Sequence, residues 1–269
     1  MRADWTKPYY DQRIDLSANI CHDIYNIKFK LDLTKYNDPF YSYKILSEFY
    51  NIDIKNIAIG LGLSELITRL FIFIKNQNMS LTIIGEPTWQ LTTLLQAEYN
   101  VPQGNDFVYV ASPNGNTGDI ENIQSLLKQY KYIILDEAYG DFYKEGVTFS
   151  DRVITLKTLS KSYALPGVRF GYMFGDNGIT NEIQRIRPGH VTIGNIDDYL
   201  PFILNDIKNH VERMNETKKY LIDNNYCSYS YTNFVLVNDT SIFNNNFKLK
   251  SNRLALTNLE IVKKCLKKN

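Results

Sequence analysis

Thr158, Ser160 and Lys161 lie in a polar turn that ends an apolar run of Val153, Ile154 and Leu156, and Arg169 and Gly171 follow shortly after. One amine therefore sits among hydroxyls, with a guanidinium close by in sequence. Such an amine can form a Schiff base with a carbonyl cofactor, and the hydroxyls and guanidinium can hold that cofactor's phosphate. Burial and a nearby cation would lower the amine's pKa and let it work at neutral pH. A Ser-Lys-Ser triplet alone describes a solvated surface loop, so the case rests on what surrounds it.

Four other segments carry polar groups just after apolar runs. Ile57-Ala-Ile-Gly-Leu-Gly-Leu-Ser-Glu65 reads as a short strand entering glycines. Ser64 and Glu65 then open a helix with Leu66, Ile67, Leu70, Phe71 and Ile74 on its apolar side. Free N–H groups at such a helix start suit a phosphate, although an ordinary tight turn has the same residues. Trp89 follows the strand-like Leu81–Gly85, where its face could stack on an aromatic ligand or fill a core. Ser112–Gly118 is a donor-rich turn containing Asn114, and Asp136-Glu-Ala-Tyr139 follows the buried run Tyr132–Leu135.

Strand and helix signals alternate from about 57 to 175, which predicts an α/β fold: a mostly parallel sheet with helices on both faces. The polar groups named above then converge at the strands' C-terminal ends, the expected place for one site. Asp119 is expected to cap a helix carrying Ile120, Ile123, Leu126, Leu127 and Tyr130. Beyond 175, Ile183 and Ile186 mark a helix that stops before Pro188. One longer helix carries Leu204, Ile207, Val211, Met214, Leu221 and Ile222. Strands follow at 234–237 and 253–256, then a last helix through Leu259, Val262 and Leu266. Residues 1–40 read as irregular, with an extended piece at 14–19. The expected division is an N-terminal segment (1–40), a large domain (41–200) and a small α+β domain (201–269).

The chain has 269 residues, 44% hydrophobic and 22% charged, with a net charge of +1. That balance has no electrostatic footprint for nucleic acid or a membrane surface. No apolar run reaches the ~20 residues of a membrane span, and the N-terminus lacks the apolar core of a signal peptide. Cys21, Cys227 and Cys265 form no metal-ligand cluster and fit a reducing, cytoplasmic setting. His22, His190 and His210 are scattered, and no metal site is expected.

With these residues assembled, the chain resembles a pyridoxal-phosphate enzyme of the aspartate-aminotransferase fold, in the histidinol-phosphate aminotransferase branch that includes threonine-phosphate decarboxylases. Thr158-Leu-Ser-Lys-Ser-Tyr-Ala-Leu-Pro-Gly-Val-Arg169 and Asp136-Glu-Ala-Tyr139 carry the likeness, and matching segments run from about 14 to 256. The resemblance implies a three-layer αβα large domain and a small domain built from the chain termini. It implies that Lys161 is the Schiff-base lysine, that Asp136 keeps the pyridine nitrogen protonated and that Tyr139 bonds the ring oxygen. It implies further that Trp89 stacks on the ring. Leu63, Ser64, Thr158, Ser160 and Arg169 would hold the phosphate. Tyr36 resembles a tyrosine that reaches a partner subunit's phosphate, which implies a homodimer. Arg253 matches an arginine that grips the substrate's anionic group. Asn19 and Asn233 match asparagines near the substrate.

The sequence departs from that pattern in the turn Gly115-Asn116-Thr117-Gly118, where the family reads Asn-Pro-Thr-Gly. Gly115 stands where an asparagine holds the ring oxygen, and Asn114 or Asn116 could substitute, Asn114 being favoured. The chain is also short for the family. The implied function is transfer of an amino group between an amino acid or phosphorylated amine and a 2-oxo acid, in amino-acid biosynthesis. The alternatives are decarboxylation of an O-phospho amino acid, or a shortened relative without catalysis.

Overall fold

The computed structural model describes residues 14–15, 29–30, 32, 34, 36, 38–86, 88–244, 247–248, 252–257 and 259–267. In chain order come β1 (Ile14–Asp15), α1 (Pro39–Tyr50), β2 (Ile57–Leu61), α2 (Leu63–Asn76), β3 (Leu81–Ile83) and α3 (Gln90–Glu98). Next are β4 (Phe107–Ala111), α4 (Ile123–Leu126), β5 (Tyr132–Asp136), β6 (Val153–Thr158), β7 (Phe170–Phe174) and α5 (Asn177–Arg185). The chain closes with α6 (Leu200–Asn205), α7 (Ile207–Asp223), β8 (Phe234–Leu236), β9 (Phe247–Lys248), β10 (Arg253–Ala255) and α8 (Leu259–Cys265).

The central sheet has the order β2-β7-β6-β5-β4-β3. β3 to β6 run parallel, and β7 is antiparallel to both of its neighbours. The two-residue period of a strand sorts its side chains into two cores. Ala58, Tyr109, Ile134, Ile154, Leu156 and Met173 meet α2, α3 and α5 on one face. On the other, Val108, Val110, Ile133 and Leu135 pack over α4, and Ile59, Tyr172 and Phe174 pack against α1 and α6. Helices cover both faces, which is why these strands read as unbroken apolar runs in the sequence. This is the three-layer αβα architecture that the alternating pattern predicts.

Two small sheets lie apart from the central one. β8 pairs antiparallel with β10, and β1 pairs parallel with β9, so segments near the two ends of the chain meet. Met214 and Leu221 of α7, Val235, Leu254 and Val262 of α8 form a core that also takes in Tyr139, Phe142 and Ala164. The C-terminal unit is therefore packed on the loops that follow β5 and β6. Among the described residues no helix is long and apolar enough to cross a membrane, and no group of acidic, His or Cys residues could hold a metal ion.

Two expectations change. The helix after residue 119 is only the turn Ile123–Leu126, and its cap is Asn122, whose side chain accepts from the Ser125 amide at 3.1 Å. Asp119 instead closes the preceding turn, its carbonyl accepting from the Asn114 amide at 2.7 Å. The single helix expected over 204–222 is two, meeting at Asp206. Leu200, Ile203 and Leu204 serve the core under α1, whereas Met214 and Leu221 serve the C-terminal core, so the chain must change direction between them. Arg69, inside the apolar run of α2, is buried. Its Nε lies 2.6 Å from Glu65 Oε1, and its guanidinium donates to the Ile59 and Ile183 carbonyls, tying α2 to β2 and α5.

α5 depends on a local cap. The Asp176 carboxylate accepts from the Gly178 amide at 2.8 Å and the Ile179 amide at 3.3 Å. Asp176→Ala is expected to lower the unfolding free energy by about 1 kcal/mol. Urea denaturation reads this as a lower midpoint at unchanged slope.

Candidate active site

A cleft of about 660 Å3 opens at the C-terminal ends of the parallel strands. It is lined by Leu63, Ser64, Trp89, Asn114, Asp136, Tyr139, Thr158, Ser160, Lys161, Arg169 and Arg253, which six separated stretches of sequence bring together. The reason is topological: each βα loop leaves the same edge of the sheet.

One end of the cleft is built for an anion. α2 begins at Gly62 with φ +78°, and no side chain caps its first amides. A Cβ on Gly62 would collide with Nη2 of Arg169, so the guanidinium lies directly over the helix start. Arg169 is itself in the left-handed region (φ 52°), and its Nη1 donates to the Pro166 carbonyl at 2.9 Å. The Thr158 and Ser160 hydroxyls are 3.0 Å apart, and the Ser160 amide donates to Thr158 Oγ1 at 3.1 Å. A helix N-terminus, a guanidinium and two hydroxyls form a donor set suited to a phosphate monoester. Thr88, also on the cleft wall, has a buried hydroxyl with no protein partner among the described residues.

The middle of the cleft carries the ionisable groups. Asp136 is 6% exposed; Oδ2 accepts from the Tyr109 hydroxyl at 2.6 Å and Oδ1 from the Ala138 amide at 2.9 Å. Burial raises its carboxyl above the usual 3.8, while the Tyr109 and Ala138 hydrogen bonds and the charge of Lys161 oppose that rise. Glu137 is engaged elsewhere: its carboxylate lies 2.6 Å from Lys144 Nζ and accepts from the Thr148 hydroxyl at 2.9 Å. Lys161 is half-buried in the turn after β6, its Nζ 5.8 Å from the centre of the Tyr139 ring. Backbone bonds from Leu159 to the Phe170 carbonyl (3.1 Å) and from Leu165 to the Leu159 carbonyl (3.0 Å) close that turn. Trp89 opens α3 at 43% exposure, its carbonyl accepting from the Thr92 amide at 3.0 Å.

At the far wall, Arg253 of β10 donates to the Gly115 carbonyl at 3.2 Å and lies 3.4 Å from Asn116 Oδ1, over the face of Phe234. Asn114 lines the cleft, but its amide is committed to the loop. Nδ2 donates to the Gly85 carbonyl at 2.6 Å, and Oδ1 accepts from the Asn116 amide at 2.7 Å. Gly115 has a steric reason: a Cβ there would lie 2.9 Å from the Tyr139 ring.

Two other residues singled out in the sequence are not on this wall. Tyr36 is 82% exposed and stacked on His190 at 4.0 Å, and Asn233 is fully buried beside β8. Asn19 lies outside the described residues. Asn116, the alternative to Asn114 in the sequence, lines the cleft, and Tyr109, Thr88 and Ala138 line it without having been singled out. Tyr109 had a legible signal: a phenol in an otherwise apolar central strand must find a partner for its hydroxyl.

Residues 83–226 match the model of the family described as aminotransferase class I and II. The chain is similar to the histidinol-phosphate aminotransferase of Pyrococcus furiosus, at 28% identity over 209 residues. That match covers 66% of this chain and 60% of the relative, so the chain spans less than two thirds of that protein's length. Its fold is similar to that of the Sinorhizobium meliloti histidinol-phosphate aminotransferase solved in complex with pyridoxal-5'-phosphate. There the TM-score is 0.72 at 17% identity, over 91% of this chain and 86% of that one. The L-threonine-O-3-phosphate decarboxylase of Porphyromonas gingivalis shares the fold with a TM-score of 0.64 at 14% identity, over 91% of this chain and 94% of that one.

Proposed function

Since the chain belongs to the class I and II aminotransferase family, we propose that it binds pyridoxal phosphate in this cleft and transfers an amino group between an amino acid or phosphorylated amine and a 2-oxo acid. One observation carries the reading: a lysine, a buried carboxylate and an arginine over a helix N-terminus line a single cleft. The residues fit the group, because the end formed by Gly62, Arg169, Thr158 and Ser160 suits its phosphate and the buried Asp136 suits a protonated ring nitrogen.

Pyridoxal phosphate, when bound, supplies an electron sink for the carbon that carries the substrate's amine. The chain's own groups supply the rest. Lys161 would hold the cofactor's carbonyl group through its amine, and its Nζ would be the proton carrier beside the substrate carbon. Asp136 supplies the charge that keeps the ring nitrogen protonated. Leu63 and Ser64 amides, the Thr158 and Ser160 hydroxyls and Arg169 anchor the phosphate, and Trp89 and Tyr139 bound the ring. Arg253 takes the substrate's anionic group, and Asn114 shapes the loop that faces the ring oxygen. The same reading makes the protein a cytoplasmic homodimer of amino-acid biosynthesis, with Tyr36 reaching the neighbouring site. It keeps the division into 1–40, 41–200 and 201–269. The exposure of Tyr36 supports the shared site.

The test is a spectral titration of the full chain with pyridoxal phosphate, followed by a panel of amino acids and phosphorylated amines. A visible band bleached by particular amines, with a 2-oxo acid as product, is expected. Release of carbon dioxide from O-phosphothreonine without a 2-oxo acid would replace transamination by decarboxylation. A bound cofactor that reacts with no amine would point to a non-catalytic relative.

A further inference from the structure

Tyr109 places a hydroxyl in a strand whose other side chains are apolar. It is 0% exposed, and its hydroxyl donates to Asp136 Oδ2 at 2.6 Å. Burial pushes its own pKa well above 10, so it remains a donor. In the register of β4 with β5, Tyr109 pairs with Ile134 and Ala111 with Asp136, so Tyr109 reaches Asp136 along the diagonal of one sheet face. Asp136 Oδ1 is already engaged by the Ala138 amide at 2.9 Å. Without Tyr109, Oδ2 would lose its phenol donor in a site where burial penalises the charge. A phenol O–H stabilises a carboxylate more than a protonated acid.

We infer that Tyr109 is a positioning residue: it holds Asp136 as an oriented, ionised carboxylate, the form that a protonated pyridine nitrogen needs as its partner. The inference rests on the reading of the cleft as a pyridoxal phosphate site. The ionisable groups that face Asp136 are Tyr109 from β4, Lys161 from the turn after β6 and Glu137 beside it in the chain. Among these, Tyr109 offers the hydrogen bond that a single-atom change removes.

The sign of the pH effect follows from Asp136 being raised above its ordinary 3.8 in the folded chain. A carboxyl raised on folding contributes stability that is present below its unfolded value and lost as pH rises through its folded value. Tyr109→Phe pushes that folded value higher still. The variant's deficit against the parent protein should therefore open as pH rises through the parent's folded Asp136 value, above 3.8, and level off once pH passes the variant's higher one.

The experiment compares the parent protein, Tyr109→Phe, Asp136→Asn and the double variant, each as the full chain. Pyridoxal phosphate affinity is read by absorbance titration near neutral pH, and urea unfolding is followed across the pH series. Tyr109→Phe is expected to weaken pyridoxal phosphate by about tenfold to a hundredfold, the worth of one hydrogen bond to a charged group. Its unfolding deficit should grow with pH, and both effects should vanish on the Asp136→Asn background. If the parent protein binds pyridoxal phosphate and Tyr109→Phe binds it equally, with a pH-independent unfolding difference, the inference is overturned and the reading of the cleft stands. If the parent protein does not bind it, the reading of the cleft falls and the cofactor role of Tyr109 falls with it. The unfolding series still decides whether Tyr109 keeps Asp136 charged.

Discussion

Lys161→Ala is expected to lower turnover by about 10^4 or more while leaving the fold intact. General acid–base transfer by a positioned side chain contributes about 10^2 to 10^4, and this lysine also supplies the covalent attachment of the carbonyl. The fold should survive because Lys161 is half-buried in a turn closed by backbone bonds at Leu159 and Leu165. The nearest aromatic contact of its amine is the Tyr139 ring at 5.8 Å. Truncations away from cores and networks usually stay within about 0.5 kcal/mol, so the urea midpoint should hardly move. Covalent fixation of pyridoxal phosphate by borohydride should be lost, whereas non-covalent binding at the Arg169 end should persist. Sustained transamination by this variant would remove Lys161 from the chemistry.

The second large effect is expected at Asp136. Asp136→Asn keeps the shape and removes the charge. One preorganised electrostatic group in a water-excluded site is worth about 10^2 to 10^3 in rate, and kcat/KM should fall by that factor. The stability effect has the opposite sign. Burial raises the Asp136 carboxyl, so its ionised form costs the folded chain free energy near neutral pH. The amide relieves that cost, although its NH2 group must then face either the Tyr109 hydroxyl or the Ala138 amide, each of which now donates to a carboxylate oxygen. Unfolding of Asp136→Asn should accordingly depend less on pH than that of the parent protein. Full activity in this variant would mean that Asp136 does not face the reacting ring.

The protein thus separates its tasks between two kinds of anchor. The phosphate end is made largely of backbone: a glycine-capped helix start and a closed turn, with Arg169 laid across them. The chemical end depends on side chains whose orientation comes from neighbours, Tyr109 for Asp136 and Gly115 for Tyr139. The outer wall depends on β10, because Arg253 reaches the loop after β4 only when the C-terminal unit is docked.

The sequence alone determined the layered architecture and the convergence of Lys161, Asp136, Arg169, Trp89 and the glycine turn, because both follow from local periodicity. Alternating strand and helix signals force parallel strands, and parallel strands put their C-terminal loops on one edge. Only the tertiary structure decided what depends on distant partners. Arg69 is a charged residue inside the apolar run of α2, and it is buried because the Ile59 and Ile183 carbonyls and Glu65 come to it from three elements. The stretch from 200 to 223 has one helical period throughout, and it breaks at Asp206 because its two halves serve different cores. Asn114 has the right chemistry to touch a ligand, and the Gly85 carbonyl, far away in sequence, commits its amide to the loop. In the sequence Tyr109 shows only that its hydroxyl needs some partner; β5 lying beside β4 decides that the partner is Asp136.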